Sequence, residues 1–334
     1  MKSPITGEEM NIVIRQEKLT FRKDEFEIYY HSYVCEKSKE EYTDDNLDEI
    51  NMNQVYNQYR DKYGIPFTYE IKEIREKYGL SASKISEILG LGTNSYRLYE
   101  SGEMPSVANG RLILAIKHPK DFIKQLQASE SMINPKEIKE LILKSEKIYE
   151  DEKRESKIYS WDRLMENSQN PNEYNGYMKP NYDIISSIIL RLSNEMDLLK
   201  TKLNKLLFYI DFLHYKNTGF SMTGLTYRAN PYGPTPSDYD LLYSKLEKEE
   251  KVVKIEKSYD NGIIGEIIQG INKNIEYKFS EKENEIINCI ISKFKNYTAT
   301  QIKEYSHKEK AWIENERSKN RISYQKYAYE INEL

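Results

Sequence analysis

An α+β fold, mainly helical, is predicted from three features of the sequence. Short β-prone runs stand near its start and again past residue 250. Apolar residues recur three and four apart over most of the rest. Glycine and proline cut that helical part into pieces.

Taken in order, residues 1–42 carry the runs Asn11-Ile12-Val13-Ile14, Leu19-Thr20-Phe21 and Phe26-Glu27-Ile28-Tyr29-Tyr30 between charged turns, the pattern of a small β-ribbon. Leu47, Ile50, Val55, Tyr56 and Tyr59 then give a helical spacing that the breaker Gly64-Ile65-Pro66 ends. Over 70–127 come short helices separated by glycine: 71–78, 81–89, 93–101 and a further one after Pro105. Asn134-Pro135 opens an amphipathic helix with Ile138, Leu141, Ile142, Ile148 and Tyr149. The polar stretch from Asn167 through Gly176 to Pro180 reads as a linker.

Past it, Ile184, Ile185, Ile188, Ile189 and Leu192 mark one helix. Leu203, Leu206, Leu207, Ile210 and Leu213 mark a second, beginning near Thr201. Strands are expected at 251–256, at 263–268 after the turn Asp260-Asn261-Gly262, and at 275–279. Ser280-Glu281-Lys282-Glu283 and Thr298-Ala299-Thr300-Gln301 are capping-box patterns that open two more helices. The expected division is a β-ribbon at 1–42, a helix-turn-helix domain at 43–130, a helix and linker at 131–180, and a mostly helical domain with a small sheet at 181–334.

The 334 residues suffice for several cores, and 38% hydrophobic with 31% charged residues describes a folded, surface-charged chain. A net charge of −4 excludes a protein that coats nucleic acid without specificity, so DNA binding must be local. No membrane-spanning window or signal-peptide core is visible, which predicts a cytoplasmic protein with no membrane partner. Cys35 and Cys289 are expected to be packing residues rather than a disulfide. His214 and His307 lack an accompanying nucleophile or metal pattern, and no phosphate-binding loop, His-Glu-x-x-His or Gly-x-Ser-x-Gly occurs. No catalytic residue and no cofactor are therefore assigned.

The ribbon resembles the N-terminal unit of MqsA/YgiT-like antitoxins, in which two Cys-x-x-Cys pairs hold a structural zinc ahead of a helix-turn-helix. The first pair falls on Ser3-Pro4-Ile5-Thr6-Gly7 and the second on Cys35-Glu36-Lys37-Ser38, so only Cys35 remains of the four thiols. Neutral hydroxyls bind zinc poorly, and no metal is expected even with His31 nearby.

The stretch from Leu80 to Ser106, LSASKISEILGLGTNSYRLYESGEMPS, is similar to the Xre/Cro-type helix-turn-helix. Ile85, Ile88 and Leu89 would pack its first helix, Gly90 allow a left-handed turn, and Tyr96 and Tyr99 seat its second. That resemblance implies major-groove contacts from Thr93, Asn94, Ser95 and Arg97, phosphate contacts from Ser81, Ser83 and Lys84, and a homodimer on operator DNA. Ala82 stands where the family often has a glutamine. Residues 70–117 hold seven basic and six acidic side chains, a balance that gives little electrostatic steering.

Lys202, Lys205 and Tyr209 recur three and four apart and so share a helix face beside the apolar stripe, while Tyr232-Gly233-Pro234-Thr235-Pro236 reads as a stiff aromatic loop suited to a preformed surface. The Lys-Leu-x-Lys-Leu helix and Tyr-Gly-Pro-x-Pro element, followed by Ser306-His307 and Ala311-Trp312, resemble the SocA-like, or Panacea, domain over about residues 180–334. That resemblance implies an antitoxin whose partner is a cognate protein toxin, bound through Lys202, Lys205, Tyr209, Asp211, Tyr227, Tyr232, Gly233, Pro234, Pro236, His307 and Trp312. The alternative is a phage or mobile-element regulator, or a protease adaptor, with a non-toxin partner.

Overall fold

A computed structural model describes residues 1–131, 133–155, 170–258, 264–271 and 277–332. The expected Asp260-Asn261-Gly262 turn and the start of the 275–279 strand lie outside them. Among these residues the chain begins with β1 (Asn11–Phe21), β2 (Asp24–Val34), β3 (Glu41–Tyr42) and α1 (Asp45–Tyr63). Six helices follow: α2 (Thr68–Tyr78), α3 (Ala82–Ile88), α4 (Ser95–Glu100), α5 (Val107–Ala115), α6 (Pro119–Ala128) and α7 (Pro135–Glu155). Next are α8 (Tyr182–Glu195), α9 (Lys200–Thr218), β4 (Tyr227–Asn230), β5 (Gly233–Pro236) and α10 (Tyr239–Lys248). The chain ends with β6 (Val252–Ser258), β7 (Ile264–Gly270), α11 (Glu281–Phe294), α12 (Ala299–Ser306), α13 (Lys310–Ile313) and α14 (Tyr324–Tyr327). The fold is α+β and mainly helical, as predicted. No helix of the described residues is long and apolar enough to cross a membrane.

Contacts divide the chain into two units, Met1–Val55 together with Leu164–Leu334, and Tyr56–Arg163. The ribbon, read in the sequence as a segment by itself, thus belongs with the C-terminal part.

Within the first unit β1 and β2 form one long hairpin, in register from Asn11 opposite Val34 to Phe21 opposite Asp24. The sequence runs at 11–14 and 19–21 are two ends of one strand. Its turn, one of the charged turns expected between the runs, carries Arg22 with φ 56°, a left-handed residue that is not glycine. The free edge of β2 is paired by β3 only at Tyr33 and Val34. Further along, two amides of α1 take the place of a strand. Asn51 accepts from the His31 N–H and donates to the His31 carbonyl, and Gln54 does the same for Tyr29, all at 2.8–2.9 Å. Buried edge groups cannot stay unpaired, and these side chains satisfy them. The hairpin also touches the chain's end. Tyr29 stacks on Tyr329 at 4.9 Å, and its hydroxyl donates to Glu330 at 2.8 Å.

At the centre of this unit lies α9, buried on nearly every side from Lys202 to Phe212, the pattern of a core helix rather than an amphipathic one. Both capping boxes form, at Ser280 before α11 and at Thr298 before α12. The α10 helix was not anticipated, although Leu242, Tyr243 and Leu246 have helical spacing and are buried.

Residues 170–180 differ from the linker reading. Asn175 is fully buried and donates to the Asn170 carbonyl, Tyr177 donates to Gln325 at 2.7 Å, and Ser221 donates to the Asn175 carbonyl. Asparagine and glycine here close a packed loop by satisfying its own backbone. At Gly224, with φ 76°, an added Cβ would lie 2.3 Å from the Lys179 carbonyl oxygen, so only glycine lets the two loops meet.

In the second unit Ile71, Ile74, Tyr78, Ile85, Ile88, Tyr96, Ile113 and Phe122 belong to one buried cluster. Gly90 adopts φ 65° after α3, the left-handed turn that the sequence called for. Tyr96 is fully buried and donates to the Ile71 carbonyl at 2.8 Å, while Tyr99 accepts from Asn109.

Candidate functional site

The seven residues assigned to DNA contact gather around α3 and α4. Thr93, Asn94 and Arg97 are exposed and Ser95 half-buried. Ser81 caps α3 by accepting from the Lys84 N–H and also bonds Ser83. Lys84 is already engaged by Glu87 at 3.0 Å and Glu137 at 2.9 Å, which raise its pKa. Two of its three N–H donors are thus engaged before any phosphate arrives.

The eleven residues assigned to partner contact divide sharply. Lys202 donates to the Lys295 and Tyr297 carbonyls at 3.0 and 2.7 Å, closing the end of α11. Tyr209 is buried and donates to Glu309 at 3.0 Å. Asp211 holds the loop after α9: it accepts from the N–H groups of Met222 and Thr223, the Thr223 hydroxyl and the Tyr227 hydroxyl. Burial pushes the Asp211 carboxyl up to about 6 against the opposite pull of these donors. Pro234 and Pro236 are buried in β5 opposite Ala229 and Tyr227. Having no N–H, they leave Gly233 and Thr235 as the donors of that strand. The stiff loop of the sequence reading is therefore a hairpin whose tip alone is open.

The other five meet in one place. Tyr232, at the hairpin tip, is 66% exposed, and the Lys303 ammonium lies 5.3 Å from its ring centre. Trp312 donates to the Asn230 carbonyl at 2.9 Å and stacks on His307 at 3.8 Å. Gly233 has φ 97°, and a Cβ there would lie 2.8 Å from the Lys205 Cε and 2.5 Å from the Ser306 hydroxyl. Glycine thus lets β5 pass directly over Lys205. Beneath the hairpin is a 420 Å³ cavity lined by Lys200, Thr201, Asn204, Lys205, Asn230, Pro231, Tyr232, Thr235 and Tyr239. Of these only Lys205 and Tyr232 were singled out in the sequence. The helical pair of spacings 200/204 and 201/205 was the available signal for the others.

Lys205 is fully buried and its Nζ has no hydrogen-bond partner among the described residues. Burial, with some repulsion from Lys303, pushes its pKa down to about 7. Lys200 beside it is bound to Asp240 at 3.1 Å and Glu266 at 2.5 Å.

The four positions that the sequence comparison aligned with two Cys-x-x-Cys pairs also come together. The buried Cys35 thiol faces the Ser38 N–H and the hydroxyls of Ser38, Thr6 and Ser3, with Thr6 at 3.3 Å. These donors lower its pKa to about 6. One thiol and three neutral hydroxyls do not fit a tetrahedral zinc ion.

Fold and site thus define a mainly helical α+β protein with a polar-lined cavity beneath the β4–β5 hairpin. Residues 203–313 match the family model of the antitoxin SocA-like, Panacea domain. That domain is not a known enzyme family. No curated protein matches the chain.

Proposed function

We propose that this chain is the antitoxin of a type II-like toxin-antitoxin system: it neutralises a protein toxin by direct binding through the unit that holds α9 and the β4–β5 hairpin, and represses its own operon through α3 and α4 as a homodimer. The observation that carries the reading is the match of residues 203–313 to an antitoxin domain. Supporting it, the match includes the exposed Tyr232 tip, an aromatic of the kind that anchors protein interfaces. The exposure of Thr93 and Asn94 in the turn before α4 and of Arg97 on α4 supports the second role.

The test is co-expression of the full chain with the neighbouring gene. Growth rescue together with co-purification of the two products is the expected result; an inert neighbour, or one that stays toxic and unbound, would defeat the proposal. For repression, Arg97→Ala is expected to weaken binding to the chain's own promoter by about 1–3 kcal/mol in a gel-shift assay, the usual worth of a bidentate base contact.

A further inference from the structure

We propose that the cavity under the β4–β5 hairpin is an anion pocket that takes one carboxylate of the protein partner, received by Lys205. The inference rests on the reading that this unit binds a partner, and adds the chemical group recognised.

An ammonium buried with no partner is costly, because it loses its hydration and gains nothing in return. Two features of the structure show that the arrangement is built rather than accidental. Gly233 permits the close passage of the strand above the Lys205 stem, where any Cβ would collide. Lys200, Thr201, Asn204 and Lys205 also line the cavity along one flank of the first two turns of α9, a 19-residue helix whose first turn has no acidic residue. Lys205, its Nζ buried and unpaired, thus borders the same volume as this carboxylate-free flank.

Charge decides the class of anion. Lys200 is held by two carboxylates, Asp240 and Glu266, which more than offset its charge, leaving Lys205 as the unpaired cation among the described lining residues. A singly charged carboxylate balances it, with Thr201, Thr235 and Asn230 at hand for the remaining lone pairs. A doubly charged phosphate would bury an excess negative charge, and no arginine among the described residues lines the pocket to meet it. The exposed Tyr232 at the mouth gives a polypeptide an aromatic contact beside the charge.

The test uses the full chain with 15N-labelled lysine, following the Lys205 ammonium by NMR against N-acetylglutamate methylamide, its neutral glutamine analogue and inorganic phosphate. The carboxylate is expected to raise the Lys205 pKa toward the ordinary lysine value and the glutamine analogue to leave it in place. No response to the carboxylate, or a stronger one to phosphate, overturns the proposal. A second arm uses the neighbouring gene's product, with its Asp and Glu residues neutralised singly and its C-terminus extended. One of these changes is expected to weaken binding to the native chain at least about tenfold and to have no further effect on Lys205→Met, the mark of a direct pair. A hit at a side chain or at the terminus tells which carboxylate enters. Binding that no such change couples to Lys205 overturns the pocket alone, whereas a product that never binds the native chain overturns the antitoxin reading and the partner's carboxylate with it.

Discussion

The Tyr227 hydroxyl donates to Asp211 Oδ2 at 2.7 Å, with both residues fully buried. The bond joins β4 to α9, and the same carboxylate holds the loop at 222–223, so it fixes the root of the hairpin whose tip carries Tyr232. Tyr227→Phe removes the hydroxyl and leaves the carboxylate one donor short. The expected cost is about 1–3 kcal/mol, read as a lower urea midpoint with an unchanged m-value. An unchanged midpoint would mean that this bond does not hold the hairpin.

Lys205 gives a pH-dependent stability. Its folded pKa, about 7, lies below the unfolded value of about 10.4, so between those limits the unfolded chain binds the extra proton. This group's penalty is full below about pH 7 and fades as pH rises toward the unfolded pKa. Lys205→Met is accordingly expected to raise the melting temperature, with a larger gain at pH 6.5 than at pH 9.5. A loss of stability at pH 6.5 would show that the ammonium has partners in solution.

The convergence of Ser3, Thr6, Cys35 and Ser38 allows a metal site to be built there. With Ser3→Cys, Thr6→Cys and Ser38→Cys combined, four thiols would face one point, and zinc is expected at one ion per chain with a higher melting temperature. The native chain is expected to carry no stoichiometric zinc by elemental analysis. One zinc per native chain would contradict the reading of the donor set.

Removing residues 1–42 is expected to destabilise the unit that contains α9. It strips Tyr29 and His31 from the Tyr329 ring, which is 6% exposed in the intact unit. Differential scanning calorimetry should show a lower transition temperature for that unit; a transition that stays put would make the ribbon dispensable.

Glu137→Gln should strengthen promoter binding modestly. It frees Lys84 from one of two carboxylates for a phosphate contact, and the salt dependence of binding is expected to steepen by about one. Equal affinity and slope would place Lys84 away from the DNA.

Much of the local structure was legible in the sequence because it follows from neighbours a few residues apart. The boxes at Ser280 and Thr298, the glycine turn at Gly90 and the seating of Tyr96 each depend on a spacing or a single residue type. The family resemblance over the C-terminal half was legible too, and residues 203–313 carry it. Less legible was what the matching residues do. Lys202, Lys205, Tyr209 and Asp211 look alike in the sequence, as polar residues on a helix with an apolar stripe. In the structure three of them are tied to groups at Tyr297, Glu309 and Thr223, and one is left without a partner.

The sequence by itself determined most of the helices, the capping boxes at Ser280 and Thr298, the α+β class and the absence of a thiol set for zinc, since these depend on side-chain chemistry and short periodicity. Only the tertiary structure decided that the ribbon packs with the chain's end, through Tyr29 and Glu330, and that residues 170–180 are core rather than linker. It alone also singled out Lys205. The reason is that burial and pairing are properties of groups brought together across 100 to 301 residues of chain, and no local pattern records which polar group will find a partner there.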